Sequence, residues 1–142
     1  MKRGVDYIGV GAGAIISNGK DQYLLCRRGK KAKNERGKWE FPGGAVEFGN
    51  TLRETIIREM KEELDIEVEP LEQLTAINHI LPHENQHWVT TGFICKIRKG
   101  KPKIMEPHKC SEIGWFTISE ISKMELTLPT KIYLGVLIKR NI

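Results

Sequence analysis

Cysteine is scarce in this chain: only Cys26, Cys95 and Cys110 occur, and no two form a C-x-x-C pair. The spacing indicates neither a disulfide framework nor a zinc ribbon, and it suits a protein of a reducing cytoplasm. Long apolar runs are also missing. No segment sustains the roughly 20 apolar residues that a bilayer span requires. The opening Met1-Lys2-Arg3-Gly4-Val5-Asp6 is charged where a signal peptide would be apolar. A soluble, cytoplasmic protein with no membrane partner is therefore expected. Repeats, low-complexity tracts and Pro/Gly/Ser linkers are absent as well. With a hydrophobic fraction of 39%, this predicts one domain over residues 1–142. The formal net charge of +5 is too small to demand DNA, so no stable nucleic-acid complex is expected, but its sign favours small anionic ligands. The expected assembly is a monomer or a homodimer.

What is present begins with strand patterning. From Tyr7 to Ile16 the chain alternates, with Ile8, Val10, Ala12, Ala14 and Ile16 on one face and Gly9, Gly11, Gly13 and Ile15 on the other. The glycine face leaves room for close approach. Asn18-Gly19 predicts a hairpin turn back through Tyr23-Leu24-Leu25-Cys26, and the basic, glycine-containing stretch from Gly29 to Lys38 predicts an exposed loop bordering a site. Thr51-x-x-Glu54 is a capping box followed by Ile56, Ile57, Met60 and Leu64 at helical spacing, which predicts a helix from about Leu52 to Asp65. Further strands are expected after it, one of them over Trp88 to Ile97 and a short one at Trp115-Phe116. Ser119 is expected to cap a brief helix through Met124, and a last helix is expected over Thr130 to Lys139. The class is α+β.

Glu59, Glu62 and Glu63 repeat at spacings of three and four, which places them on one side of the predicted helix. Like charges so placed cost a bare helix about 0.2–0.5 kcal/mol per pair, and hard oxygen donors suit Mg²⁺. A solvated acidic face would show the same spacing, so the surroundings must decide. Gly44 through Ile66 resembles the Nudix box, G-x5-E-x7-R-E-U-x-E-E-x-G-U with U aliphatic: Gly44, Arg58, Glu59, Met60, Glu62, Glu63 and Ile66 fall on its positions. Asn50 stands where the box has its first Glu, and Asp65 where it has Gly. The resemblance implies a mixed β-sheet sandwiched between helices. It also implies a divalent metal, Mg²⁺ with Mn²⁺ as the alternative, held by the Gly43 carbonyl, Glu59, Glu62 and Glu63, with Arg58 positioning a box carboxylate. Glu59, Glu62 and Arg58 are then the catalytic residues. Glu59 is the first choice of base, and Glu106 and Glu112 are later candidates.

The same resemblance implies a nucleotide substrate cleaved at a phosphoanhydride. Trp88 and Trp115, with the segment from Glu106 to Cys110, resemble the branch that turns nucleoside triphosphates, oxidised ones included, into monophosphate and pyrophosphate. Pro82 points instead to ADP-ribose. Arg27 is the candidate phosphate ligand and Trp88 the candidate base-stacking residue. Three other readings arise. A noncatalytic nucleotide-binding module on the same fold is favoured by Asn50. His83-Glu84-Asn85-Gln86-His87 spells a zinc-protease motif, but Pro82 before it and the β-rich run after it oppose the helix that motif needs. Gly9-x-Gly11-x-Gly13 has the wrong spacing for a dinucleotide fingerprint.

Overall fold

In the computed structural model, which describes residues 1–140, the strands divide into two sheets lying between helices. The elements in order are β1 (Gly9–Ile16), β2 (Gln22–Arg28), β3 (Trp39–Glu40), β4 (Gly43–Ala45), α1 (Leu52–Leu64), β5 (Glu67–Leu81), β6 (Gln86–Lys99), β7 (Cys110–Thr117), α2 (Ile118–Ile121) and α3 (Leu128–Arg140). One sheet has the order β4-β1-β6-β5, with β1 and β6 parallel and the other pairs antiparallel; the second has the order β3-β2-β7 and is antiparallel throughout. The period-two pattern of β1 decides where the helices dock. Ala12, Ala14 and Ile16 join Ile56, Met60 and Leu64 of α1 in one apolar cluster, while Ile15 joins Tyr133, Leu134 and Leu137 of α3 in another. Tyr133 also accepts a hydrogen bond from the Gly92 N–H (2.7 Å) and donates one to the Thr75 carbonyl (2.8 Å).

The α1 helix starts as its sequence predicts. The Thr51 hydroxyl accepts from the Glu54 N–H at 3.1 Å and the Glu54 carboxylate accepts from the Thr51 N–H at 3.2 Å, which completes the capping box. The helix ends at Asp65 in the left-handed region (φ 55°), where aspartate replaces the glycine of the box. Met60 is fully buried beneath the helix. Met60→Ala is expected to cost about 2–5 kcal/mol in chemical denaturation; a loss below about 1 kcal/mol would contradict this packing.

Three expectations need correction. Asn18-Gly19 does make a turn, with Gly19 at φ +79°, but β1 and β2 do not form a hairpin: beyond a Ser17–Tyr23 bridge they belong to different sheets. Both edges of β1 are already taken, by β4 and β6. The cysteines are not all unpaired, since Cys26 on β2 and Cys110 on β7 are joined as a disulfide with Cα atoms 5.9 Å apart. Antiparallel pairing brings together residues whose sequence separation of 84 concealed the contact. The buried Cys95 thiol remains free, and burial pushes its pKa up to about 12. Finally, Thr117 rather than Ser119 caps α2, in a second capping box with Glu120. No helix among the described residues is long and apolar enough to cross a membrane.

Candidate active site

Pro42-Gly43-Gly44 brings backbone where no side chain fits. A Cβ on Gly43 would lie 2.1 Å from the Ala12 carbonyl oxygen, and one on Gly44 would lie 2.2 Å from Cδ of Glu59. Pairing of β4 with β1 in the register Gly13–Gly43 and Ala12–Gly44 produces the first contact, and docking of α1 produces the second. The backbone of β4 thus presses directly against a box carboxylate.

Glu59 and Glu63 both line a cavity of about 310 Å³ between β1, β4, α1 and the loop from Gly29 to Lys38. Glu62 does not. At ~100° per residue Glu63 lies ~40° around the helix from Glu59, whereas Glu62 lies ~60° to the other side. Its side chain is 52% exposed. The expected convergence of three acids on one point is therefore two acids on the wall and one on the rim. Arg58 ties them together: its Nη1 lies 3.0 Å from Glu59 Oε1 and 3.5 Å from both Glu62 Oε2 and Glu47 Oε1. Its Nε donates to Asn50 Oδ1 at 3.3 Å and its Nη2 to the Ala45 carbonyl at 3.3 Å. Asn50 thus keeps a hydrogen bond to the box arginine, while Glu47, three residues earlier, provides a negative charge.

Burial raises the proton affinity of these acids. Burial pushes the Glu59 carboxyl above the usual range; the Arg58 guanidinium opposes the shift and the Glu62 charge adds to it. Glu63 is pushed up to about 9, first by burial and then by the charges of Glu59 and Glu40. Glu40, on β3, is also raised: burial outweighs the two hydrogen bonds donated by Arg28 Nη1, at 3.0 and 2.9 Å. In the loop before β7, Glu106 Oε1 is buried without a hydrogen-bond partner, and the other carboxylate oxygen lies 3.6 Å from Lys109 Nζ. Carboxylates held charged here need compensation.

Such a donor set fits a hard divalent cation. It consists of oxygen alone, the charge of Glu106, whose Oε1 is buried and unpartnered, reaches Glu63, and the Gly43-Gly44 backbone passes beside Glu59 where a Cβ would collide. Among the described residues no three His, Cys, Asp or Glu side chains are drawn into a closed ligand shell; Arg58 supplies the positive charge between Glu59 and Glu62 instead.

Cations face the acids from the other walls. Arg3, Arg28, Lys31, Lys33 and Lys109 all line the cavity. Lys33 is lowered by burial first and then by the charges of Arg3 and Lys109. The loop that carries Lys31 and Lys33 is anchored by buried Glu35, which pairs with His79 at 2.5 Å, accepts from the Leu128 N–H at 3.0 Å, and donates its own N–H to Glu84 at 3.0 Å. Trp88 lies in the wall with its indole N–H donating to Gln86 Oε1 at 2.8 Å. Arg27 is elsewhere. It pairs with Glu112 at 3.0 Å and lies outside the cavity wall, which Arg28 lines; the strand register shifts between the two. Glu112, held in that exposed pair, does not line the cavity, and Trp115 packs against the α1 cluster instead of lining it. The H-E-x-x-H segment forms a 3-10 turn over Pro82–Glu84 and the start of β6, not a helix, and its Glu84 anchors the loop through Glu35.

The family model for the NUDIX domain matches residues 8–134. This chain belongs to the NUDIX family. Members of that family generally use divalent metal ions. The Nudix chain is 31% identical over 103 residues to the 8-oxo-dGTP diphosphatase of Proteus vulgaris, covering 72% of this chain and 88% of that protein. It is also 31% identical over 121 residues to a nudix hydrolase of Caenorhabditis elegans, covering 84% of this chain but only 31% of that protein, so it spans about a third of that relative's length. The crystal structure of a MutT NUDIX hydrolase from Burkholderia pseudomallei superposes with a TM-score of 0.83 at 32% identity, covering 91% of this chain and 97% of that one.

Proposed function

We propose that this Nudix chain hydrolyses a phosphoanhydride in a nucleoside diphosphate linked to a further group, with Mg²⁺ or Mn²⁺. Its leading substrate is a nucleoside triphosphate, oxidised or unmodified, converted to monophosphate and pyrophosphate. The observation that carries this reading is the facing, across one cavity of about 310 Å³, of three carboxylates of raised proton affinity, Glu40, Glu59 and Glu63, with five cationic side chains, of which Arg28 is paired with Glu40. A polyphosphate satisfies the cations, and an ion held by Glu59, Glu62, Glu63 and the Gly43 carbonyl would screen its charge and acidify water. The similarity to a protein named 8-oxo-dGTP diphosphatase supports the same choice.

The roles of the chain's own residues follow from their positions. Arg28, Lys33 and Lys109 hold the phosphates, and Trp88 bounds the nucleoside end. Glu59, oriented by Arg58 at 3.0 Å, takes the proton of the attacking water while a new oxygen–phosphorus bond forms and the anhydride oxygen departs with pyrophosphate. The raised proton affinity of Glu59 makes it a stronger base than an exposed glutamate. Glu62 acts from the rim, through Arg58 and the cation. Glu62→Gln is expected to lower turnover at least about tenfold, ~1.4 kcal/mol of transition-state stabilisation, with the fold retained. Turnover near that of the unmodified chain would reject the role.

ADP-ribose is the second reading; Pro82, which points to it in the sequence, begins an exposed turn and does not line the cavity. Assay of a nucleotide panel with Mg²⁺ and identification of products tests the reading: nucleotide plus pyrophosphate supports it, AMP plus ribose phosphate would replace it with ADP-ribose cleavage, and binding without product would leave a nucleotide-binding module.

A further inference from the structure

Between Gly29 and Lys38 the chain carries Lys30, Lys31, Lys33, Arg36 and Lys38 but only one acid, Glu35. Like charges in one loop repel one another and the other cations of the cavity wall, so the path of the loop has to be held from elsewhere. Glu35 is turned away from the cavity. It is not among the residues of the wall, its side chain is 3% exposed, and its backbone adopts φ 43°, a left-handed conformation that residues with a Cβ seldom take. The one acid of a basic loop is thus committed to the interior.

The loop, β5 and α3 meet at its carboxylate. Oε1 lies 2.5 Å from His79 Nε2 on β5, while Oε2 accepts from the Leu128 N–H at the start of α3 at 3.0 Å and lies 3.6 Å from Lys38 Nζ. Burial pushes the Glu35 carboxyl up, but the His79 contact, the Leu128 N–H and Lys38 together outweigh it, and the group is held below the usual carboxylate range. Its effect reaches the cavity through the two residues before it. The buried Asn34 accepts at its carbonyl from Arg28 Nε at 2.7 Å and donates from Nδ2 to Gln86 Oε1 at 2.9 Å. The Lys33 carbonyl accepts from Gln86 Nε2 at 2.7 Å. Arg28 and Lys33 line the cavity, so the direction of both is set by backbone adjoining Glu35.

We propose that Glu35 and His79 are a positioning pair for the reaction: by pinning the 29–38 loop to β5 and α3 they direct Arg28 and Lys33 at the substrate, which Glu35 itself does not touch. A buried carboxylate has this capacity because it cannot exchange its partner for solvent; removal of the partner leaves the charge buried and uncompensated. A loop held by Asn34 and Gln86 alone would keep its hydrogen bonds but lose that constraint. This role rests on the hydrolytic reading of the cavity, but the hold on the loop can be measured apart from it.

Glu35→Gln, His79→Gln and the double substitution Glu35→Gln/His79→Gln are compared with the unmodified chain below Tm. The measurements are kcat and KM for a nucleoside triphosphate with Mg²⁺, its dissociation constant by calorimetry in EDTA, and the rate of tryptic cleavage within the 29–38 loop. Each single substitution is expected to raise KM and the dissociation constant at least about tenfold, to leave kcat within about threefold, and to speed cleavage at least about tenfold. The double substitution leaves no unpaired carboxylate and so stays folded even where His79→Gln alone does not; it is expected to be no worse than either single, because the two residues act as one unit. A lowered Tm with KM, dissociation constant and loop cleavage all within about twofold, or penalties that multiply in the double variant, would overturn the positioning role and leave a merely structural pair. Binding and cleavage that respond as expected with no product from any variant would uphold the hold on the loop and remove the hydrolytic reading; turnover unmoved by all three substitutions would do the reverse.

Discussion

Glu59→Gln is expected to lower kcat at least about a hundredfold while the protein stays folded, because loss of a positioned general base typically costs 10²–10⁴. Glutamine keeps the shape that packs against Gly44 but accepts no proton from water. It also removes a charge that burial disfavours, which offsets the loss of the Arg58 ion pair, so the metal-free protein is expected to keep its stability. Circular dichroism melts and pyrophosphate release on one preparation separate the two effects. Gly44→Ala reaches the same carboxylate from the other side: the added methyl would stand 2.2 Å from Glu59 Cδ, forcing the side chain out of place, and at least a tenfold loss (~1.4 kcal/mol) is expected. Activity within about twofold of the unmodified chain in both variants would remove Glu59 from the mechanism.

The second large effect concerns pH and metal together. Glu63 holds its proton up to about pH 9 in the folded chain, whereas an unfolded glutamate releases it near 4.5. Because the folded value is raised, the contribution to stability is complete below about 4.5 and is lost as pH climbs towards 9, at a rate of at most about 1.4 kcal/mol per pH unit. Glu59 shifts in the same direction. A divalent cation binds the charged carboxylates and competes with the proton, so the rise in Tm on adding MgCl₂ to EDTA-treated protein is expected to grow from pH 6 to pH 9. Glu63→Gln is expected to flatten the pH dependence without metal, raise the metal-free Tm at high pH, and shrink the Mg²⁺ effect. A Mg²⁺ shift independent of pH, or undiminished in Glu63→Gln, would contradict the coupling.

Much of the frame was legible before any coordinates. The capping box at Thr51 and Glu54, the apolar stripe through Ile56, Met60 and Leu64, and the alternation of β1 are local signals governed by neighbours within a turn or two, and they hold in the fold. Errors arose where a local signal needs a distant partner to interpret it. A turn at Asn18-Gly19 says that the chain reverses, not that its flanking strands pair, and competition for the edges of β1 settled that in favour of β4 and β6. Two adjacent arginines look alike in sequence; the shift in register between them leaves Arg28 on the cavity and Arg27 on Glu112. Cations from the N-terminus, the 29–38 loop and the segment before β7 lie far apart in sequence and meet only when folded.

The sequence by itself determined the acid-bearing helix, its two ends and the family it belongs to, because helical spacing and capping depend on residues only three or four apart. Tertiary structure alone decided which acids are buried, which cations face them and which cysteines meet. Burial and long-range electrostatics depend on what packs from other parts of the chain, and no short stretch of sequence contains that information.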